Sequence, residues 1–77
     1  MDEKKLKAKQ DEIISMLCRR RTELKITQQE VCRRSGLSII TVKRMENIKI
    51  KQWLNVKSLL LYCAALELEV NINIKEK

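Results

Sequence analysis

One glycine, Gly36, and no proline occur in the 77 residues of this chain, and that scarcity restricts the fold more than any other feature. Sheet proteins turn repeatedly on glycine and proline, so a chain this poor in both suits short helices with tight connections. The glycine itself marks a helix end, because there the backbone often turns left-handed, which only glycine does without a steric penalty. The reading is an all-α domain. At this length residues 1–77 form a single unit with one small core, since so short a chain buries only marginally enough apolar surface for stability.

The segments on either side of Gly36 carry their own boundary signals. Thr27 with Glu30 three positions on is a capping box, in which each side chain satisfies a backbone N–H that the new helix leaves without a partner. This predicts a helix from Gln28 to Gly36 with Val31 and Cys32 facing inward. Leu37 follows as an apolar plug and Ser38 as the next cap, so the connection is about three residues, the length of a helix-turn-helix corner. The next helix runs from about Ile39 to Asn47. Val42 and Met45 face the core, while Ile39, Ile40, Lys43 and Arg44 point elsewhere. Two exposed isoleucines at a helix start call for an explanation.

Upstream, Leu6, Ile13, Ile14, Leu17 and Leu24 form one apolar stripe on a mostly charged helix from about Asp2 to Lys25. Downstream, residues 48–54 form a basic loop carrying Lys49, Lys51 and Trp53, with Trp53 expected to cover the core beneath it. Asn55 then caps a further helix through Val56, Leu59, Leu60, Cys63 and Leu66, with Leu61 and Ala64 on its outer side as expected dimer contacts.

From Leu66 the period changes. Leu68, Val70, Ile72 and Ile74 alternate with Glu67, Glu69, Asn71, Asn73 and Lys75, the pattern of a β-strand with one buried face over residues 67–75. A lone strand needs backbone partners that helices do not offer. Two pairings are open: the same strand of a second subunit, or the short alternating stretch from Ile48 to Lys51. Pairing between subunits is preferred, because it closes an edge that a solitary hairpin leaves open.

Lysine and arginine number 17 against 10 acidic residues, a net charge of +7, and such a surplus on a small surface attracts polyanions, nucleic acid first. The three cysteines, Cys18, Cys32 and Cys63, have no paired spacing and no histidine to complete a zinc site. They read as reduced thiols within apolar helical patterns, which points to the cytosol. The longest apolar runs are far too short for a bilayer, and the first residues are charged where a secretion signal is apolar, so a soluble cytoplasmic chain is expected. With no histidine, nucleophile motif or glycine-rich phosphate loop, neither an enzyme nor a cofactor or metal site is expected.

The run Thr27-Gln28-Gln29-Glu30-Val31-Cys32-Arg33-Arg34-Ser35-Gly36-Leu37-Ser38, followed by Val42, Met45 and Glu46, resembles the Xre/Cro family of helix-turn-helix repressors. The likeness extends from Leu17 through Leu68, with residues 27–47 as the motif. It implies a lambda-repressor-like domain of four to five helices with a short C-terminal strand, binding a palindromic duplex operator as a homodimer to repress transcription. Leu59-Leu60 and Ala65-Leu66-Glu67-Leu68, followed by alternation, look like the HipB-type antitoxin branch, whose C-terminal strands form an intersubunit sheet. Leu68, Val70, Ile72 and Ile74 would then be dimerisation residues. The runner-up function is an antitoxin that holds a partner toxin and represses its own operon.

By position, the resemblance gives Gln28 a phosphate contact and a bracing role on the recognition helix, and gives Ser38 its cap beside N–H groups that also bind phosphate. Ile39, Ile40, Thr41, Lys43 and Arg44 match the groove-facing positions. There Arg44 or Lys43 pairs with guanine, while the isoleucines and the Thr41 methyl touch thymine methyl groups. Lys49 and Lys51 match a backbone-contacting loop, and Arg21 with Glu46 a largely buried ion pair between the first and third helices. Ile48 departs from the family's frequent glycine after the Glu-Asn pair, and Ile39 and Ile40 stand where polar residues are common. Part of the base readout then passes to methyl contacts or to DNA shape.

Overall fold

The computed structural model describes residues 2–76. It is all-helical: α1 spans Glu3–Glu23, α2 Gln28–Ser35, α3 Ile39–Glu46 and α4 Val56–Ala65. Each helix opens on a side-chain cap of the expected kind. Asp2, Thr27, Ser38 and Asn55 accept hydrogen bonds from the backbone N–H groups of Lys4, Glu30, Thr41 and Ser58 respectively.

The helix ends follow two designs. Gly36 closes α2 in the left-handed conformation at φ 80°, its N–H bonded to the Cys32 carbonyl at 2.9 Å. α1 and α4 make the same kind of turn without glycine, at Lys25 and Glu67, both at φ 58°. The following N–H reaches five residues back in each, from Ile26 to the Arg21 carbonyl at 3.1 Å and from Leu68 to the Cys63 carbonyl at 2.9 Å. Thus α1 stops at Glu23 rather than at Lys25, because the left-handed residue breaks the ladder. α3 ends on Asn47 in extended conformation, with the Asn47 Oδ1 accepting from the Lys49 N–H at 3.0 Å. That exit requires no left-handed residue, which explains how isoleucine is accommodated at position 48.

Leu17, Val31, Val42, Met45, Tyr62, Cys63, Ala65 and Leu66 form the core, contributed by all four helices and the residue that caps α4. α2 packs on both α3 and α4, and α1 packs on α3. Cys32 is only half-buried, and Ile13, Leu6 and Leu24 lie largely at the surface, so the stripe on α1 narrows to Ile14 and Leu17. Among the described residues no helix is long and apolar enough to cross a membrane.

Two expectations are corrected. Residues 67–76 form no strand. The alternative partner, from Ile48 to Lys51, is occupied by turns of its own and held from the other side by α1, and the helices have no free edge to lend. Leu68 packs against the core, whereas Val70, Ile72 and Ile74 are exposed, Ile74 at 88%. Trp53 does not cover the core: it is 55% exposed, and Leu54 packs there in its place. Gln10 on α1 holds the Leu54 N–H, which seats Leu54 against the core and leaves Trp53 at the surface.

Candidate nucleic-acid interface

α3 has two sharply different sides. Val42 is fully buried and Met45 nearly so, while one turn around the helix Ile39, Ile40, Lys43 and Arg44 are exposed, Ile40 at 61%. The spacing that buries positions 42 and 45 necessarily turns 40, 43 and 44 outward. Thr41 joins this outward group only in part. It is half-buried, and its hydroxyl is 2.9 Å from the Ser38 Oγ, which also accepts from the Thr41 N–H at 3.1 Å. Ser38 itself is exposed at the helix start, doing the capping expected of it.

The orientation of this helix is set by Glu46, its last residue. The carboxylate accepts from Arg21 Nε and Nη2, each at 2.9 Å, from Gln28 Nε2 at 3.1 Å and from the Tyr62 hydroxyl at 2.6 Å. Arg21 belongs to α1, Gln28 to α2 and Tyr62 to α4, so all four helices meet at one carboxylate. The Arg21 side chain is 17% exposed and that of Glu46 10%, and a charge withdrawn from water this far requires a full set of partners. Arg21 Nη1 donates in addition to the Ile26 carbonyl at 2.9 Å, which ties the α1–α2 connection to the same knot.

The electrostatics follow the packing. Burial pushes the Glu46 carboxyl up, but the hydrogen bonds from Arg21, Tyr62 and Gln28 together outweigh it and hold the group below the usual carboxylate range. Hydrogen bonding to Glu46 raises the Arg21 guanidinium further still, against the opposing effect of burial. Tyr62 is driven well above the usual phenol range by burial and by the carboxylate it bonds. Burial and the same carboxylate push the Cys18 thiol up to about 11. Cys63 is also raised, by burial alone. Neither thiol has the depressed pKa of a reactive cysteine.

The ion pair expected between Arg21 and Glu46 is therefore present, bidentate and mostly buried. Gln28 is half-buried with its amide turned to Glu46, which is the bracing half of the role expected for it. Lys49 and Lys51 are exposed on the loop that follows α3.

Three participants had not been singled out from the sequence. Tyr62 was hidden in an apolar helix pattern. Gln10, among the described residues the one buried polar residue outside the Glu46 knot, clamps the basic loop: its Nε2 donates to the Gln52 carbonyl at 2.8 Å and its Oε1 accepts from the Leu54 N–H at 2.7 Å. A glutamine facing inward on the stripe of Ile14 and Leu17 was the available signal. Arg34, one of a pair of adjacent arginines near the end of α2, donates from Nη1 to the Ala65 carbonyl at 3.0 Å and so caps the end of α4.

A different surface lies across α1 and α4. Ile13, Met16 and Leu59 line an open apolar groove of about 580 Å³ together with Leu68, Val70 and Ile72 from the segment after α4. Comparison with protein-family models, curated proteins and solved structures finds no match to this chain.

Proposed function

We propose that this chain binds duplex DNA through the exposed face of α3 as a helix-turn-helix transcriptional regulator, acting as a dimeric repressor. One observation carries the reading: a short helix offers Ile39, Ile40, Lys43 and Arg44 to solvent while its last residue is fastened to the other three helices. A helix fixed this firmly, with two cations and two methyl-rich side chains facing outward, has the chemistry to read guanine acceptors and thymine methyl groups in a major groove. The three residues from Gly36 to Ser38 between α2 and α3 fit the corner of the motif. The net charge of +7, with Lys49 and Lys51 beside the helix, supplies affinity that is independent of sequence and falls steeply with salt.

In this mechanism a dimer presents two copies of α3 about 34 Å apart to successive major grooves of a palindromic operator and excludes polymerase from it. The groove along Ile13, Met16 and Leu59 and the exposed Val70, Ile72 and Ile74 support a partner chain there. The same exposed apolar surface favours a second reading, in which the chain is an antitoxin and a toxin also docks; co-purification with the product of the adjacent gene separates the two.

The DNA reading is tested with a panel of operator variants. Arg44→Ala is expected to reduce discrimination among sequences, whereas Lys49→Ala weakens all of them alike. Equal effects of the two substitutions across the panel contradict the assignment of α3 as the reading element.

A further inference from the structure

The sole tryptophan of the chain stands at the surface on the loop after α3. Trp53, Lys51 and Gln52 form one wall of a groove of about 300 Å³, and Glu3, Lys4 and Lys7 at the start of α1 form the other. Gln10 holds this loop against α1 through Gln52 and Leu54, and the Lys7 ammonium donates to the Ile48 carbonyl at 3.2 Å while pairing with Asp11. The groove is thus a fixed feature of the fold. Lys4 and Lys51 make no ion pair among the described residues, and Glu3 is the one carboxylate in the lining, so the groove keeps a positive balance.

Its position matters as much as its charge. Gln52 also lines a smaller cavity, of about 100 Å³, whose wall includes Thr41 and Arg44 of α3 and its cap Asn47. Gln52 is common to both, so the basic groove lies beside α3. An exposed indole offers a flat apolar face with an N–H donor at its rim, and two unpaired ammonium groups flank it. That combination matches a sugar-phosphate backbone, with an apolar sugar against the ring and phosphate oxygens toward the lysines and the indole N–H. A protein partner for such a groove would need an acidic segment, whereas DNA bound to α3 already delivers phosphates to its edge.

We propose that the groove between Trp53 and Lys4 seats the DNA backbone flanking the bases that α3 faces, extending the footprint onto the start of α1. The inference rests on the DNA-binding reading above, which already sets Lys51 against the backbone, and adds Trp53 and Lys4 to it as one clamp. Such a contact is insensitive to sequence, so it widens the site and strengthens binding without altering which bases are preferred.

A single titration of the full chain tests both levels, because Trp53 is the only indole that can report. The probe is a fluorescein-labelled random-sequence duplex two helical turns long, at low salt, followed by anisotropy of the label and by tryptophan emission. The expected result is a rise in anisotropy accompanied, at the same midpoint, by quenching and a blue shift of Trp53. The double substitution Lys4→Gln with Lys51→Gln is expected to reduce the slope of log K against log salt by about 2, one for each lost phosphate contact. Its thermal midpoint and sequence preference should match those of the parent. If anisotropy rises while both Trp53 emission and the salt slope of the double variant stay unchanged, the clamp is refuted and the α3 reading survives. Absence of any rise in anisotropy removes both. A change in Trp53 emission on concentrating the protein without DNA assigns the groove to a second copy and overturns the proposal.

Discussion

Replacing Glu46 with glutamine keeps the shape of the side chain and removes the charge on which the four helices converge. Four donors lose their ionised acceptor, two from Arg21 and one each from Gln28 and Tyr62. The new amide nitrogen is itself a donor facing donors, so the guanidinium is left inside with its charge uncompensated. Breaking a buried pair by removing one partner destabilises a protein by about 3–5 kcal/mol. A domain of this size has a total stability of about 4–12 kcal/mol, from roughly 0.05–0.15 kcal/mol per residue. Glu46→Gln is therefore expected to remove a large fraction of the stability and to lower the thermal midpoint by roughly 12 °C or more, at about 4–8 °C per kcal/mol. Tyr62→Phe deletes one charge-assisted bond but strands no charge, and should lose about 1.5–3 kcal/mol. Urea denaturation of the parent, both single variants and an Arg21→Ala, Glu46→Ala cycle measures these quantities. A loss below about 1 kcal/mol for Glu46→Gln, or additivity of Arg21→Ala and Glu46→Ala within about 0.5 kcal/mol, would falsify the account of Glu46 as the point that fixes α3.

Three further outcomes are expected. Gly36→Ala should lose about 1–2 kcal/mol in urea denaturation; nothing lies within 4 Å of an added Cβ, so the loss is purely conformational, and Gly36→Asn should recover part of it. Equal stability of the alanine variant and the parent contradicts the left-handed cap. Gln10→Ala leaves the Leu54 N–H and the Gln52 carbonyl without their partner, at about 1–3 kcal/mol for each group that stays dry; hydrogen exchange at Leu54 should accelerate while that of the α2 amides does not, and protection of Leu54 at the parent level would exclude the clamp. Glu46 is depressed relative to an ordinary value of 4.5, so its contribution is fully present above that pH and is lost as the pH falls through the lower value it has in the folded chain. Stability measured from pH 5 down to pH 2 should show an acid limb that Glu46→Gln flattens, and an acid limb of unchanged steepness in that variant assigns it to other carboxylates.

The local structure was legible because each helix boundary is written in one or two residues. Thr27, Ser38 and Asn55 are caps that act within a single turn, although Glu30 turns its carboxylate to Arg33 and leaves the expected capping box half made. Gly36 fills a position whose backbone angle costs other residues more. The exposed face of α3 was legible too, because burying Val42 and Met45 leaves Ile40, Lys43 and Arg44 no other direction. Contacts between elements distant in sequence left weaker signs. Gln10 and Gln52 are 42 residues apart; the place of Gln10 on the inward stripe of α1 marks it as a buried polar group, but nothing in either segment indicates which backbone it will hold. Trp53 was misplaced for the same reason: two large apolar residues stood side by side, and the clamp on Leu54 decided which one turned inward. The alternation after Leu66 describes a propensity of that segment, and forming a strand depends on a partner that one chain does not contain.

The two kinds of residue around α3 carry separate burdens. Tyr62 and Val42 are buried and Arg21 and Glu46 mostly so, and together they hold the helix in place, so changes there are paid in stability before any effect on recognition is seen. Ile40, Lys43 and Arg44 are exposed and touch little of their own chain, and surface positions of that kind usually shift stability by no more than about 0.5 kcal/mol. The face offered to a partner can therefore be rewritten while the helix that presents it stays fixed. Apolar side chains at such positions gain nothing from the isolated fold: Ile40 remains 61% exposed and Ile39 36%, so whatever free energy their burial can release is still available to a bound partner. Methyl groups at the rim of a major groove are one place where that release would discriminate one base pair from another, because thymine alone presents a methyl there.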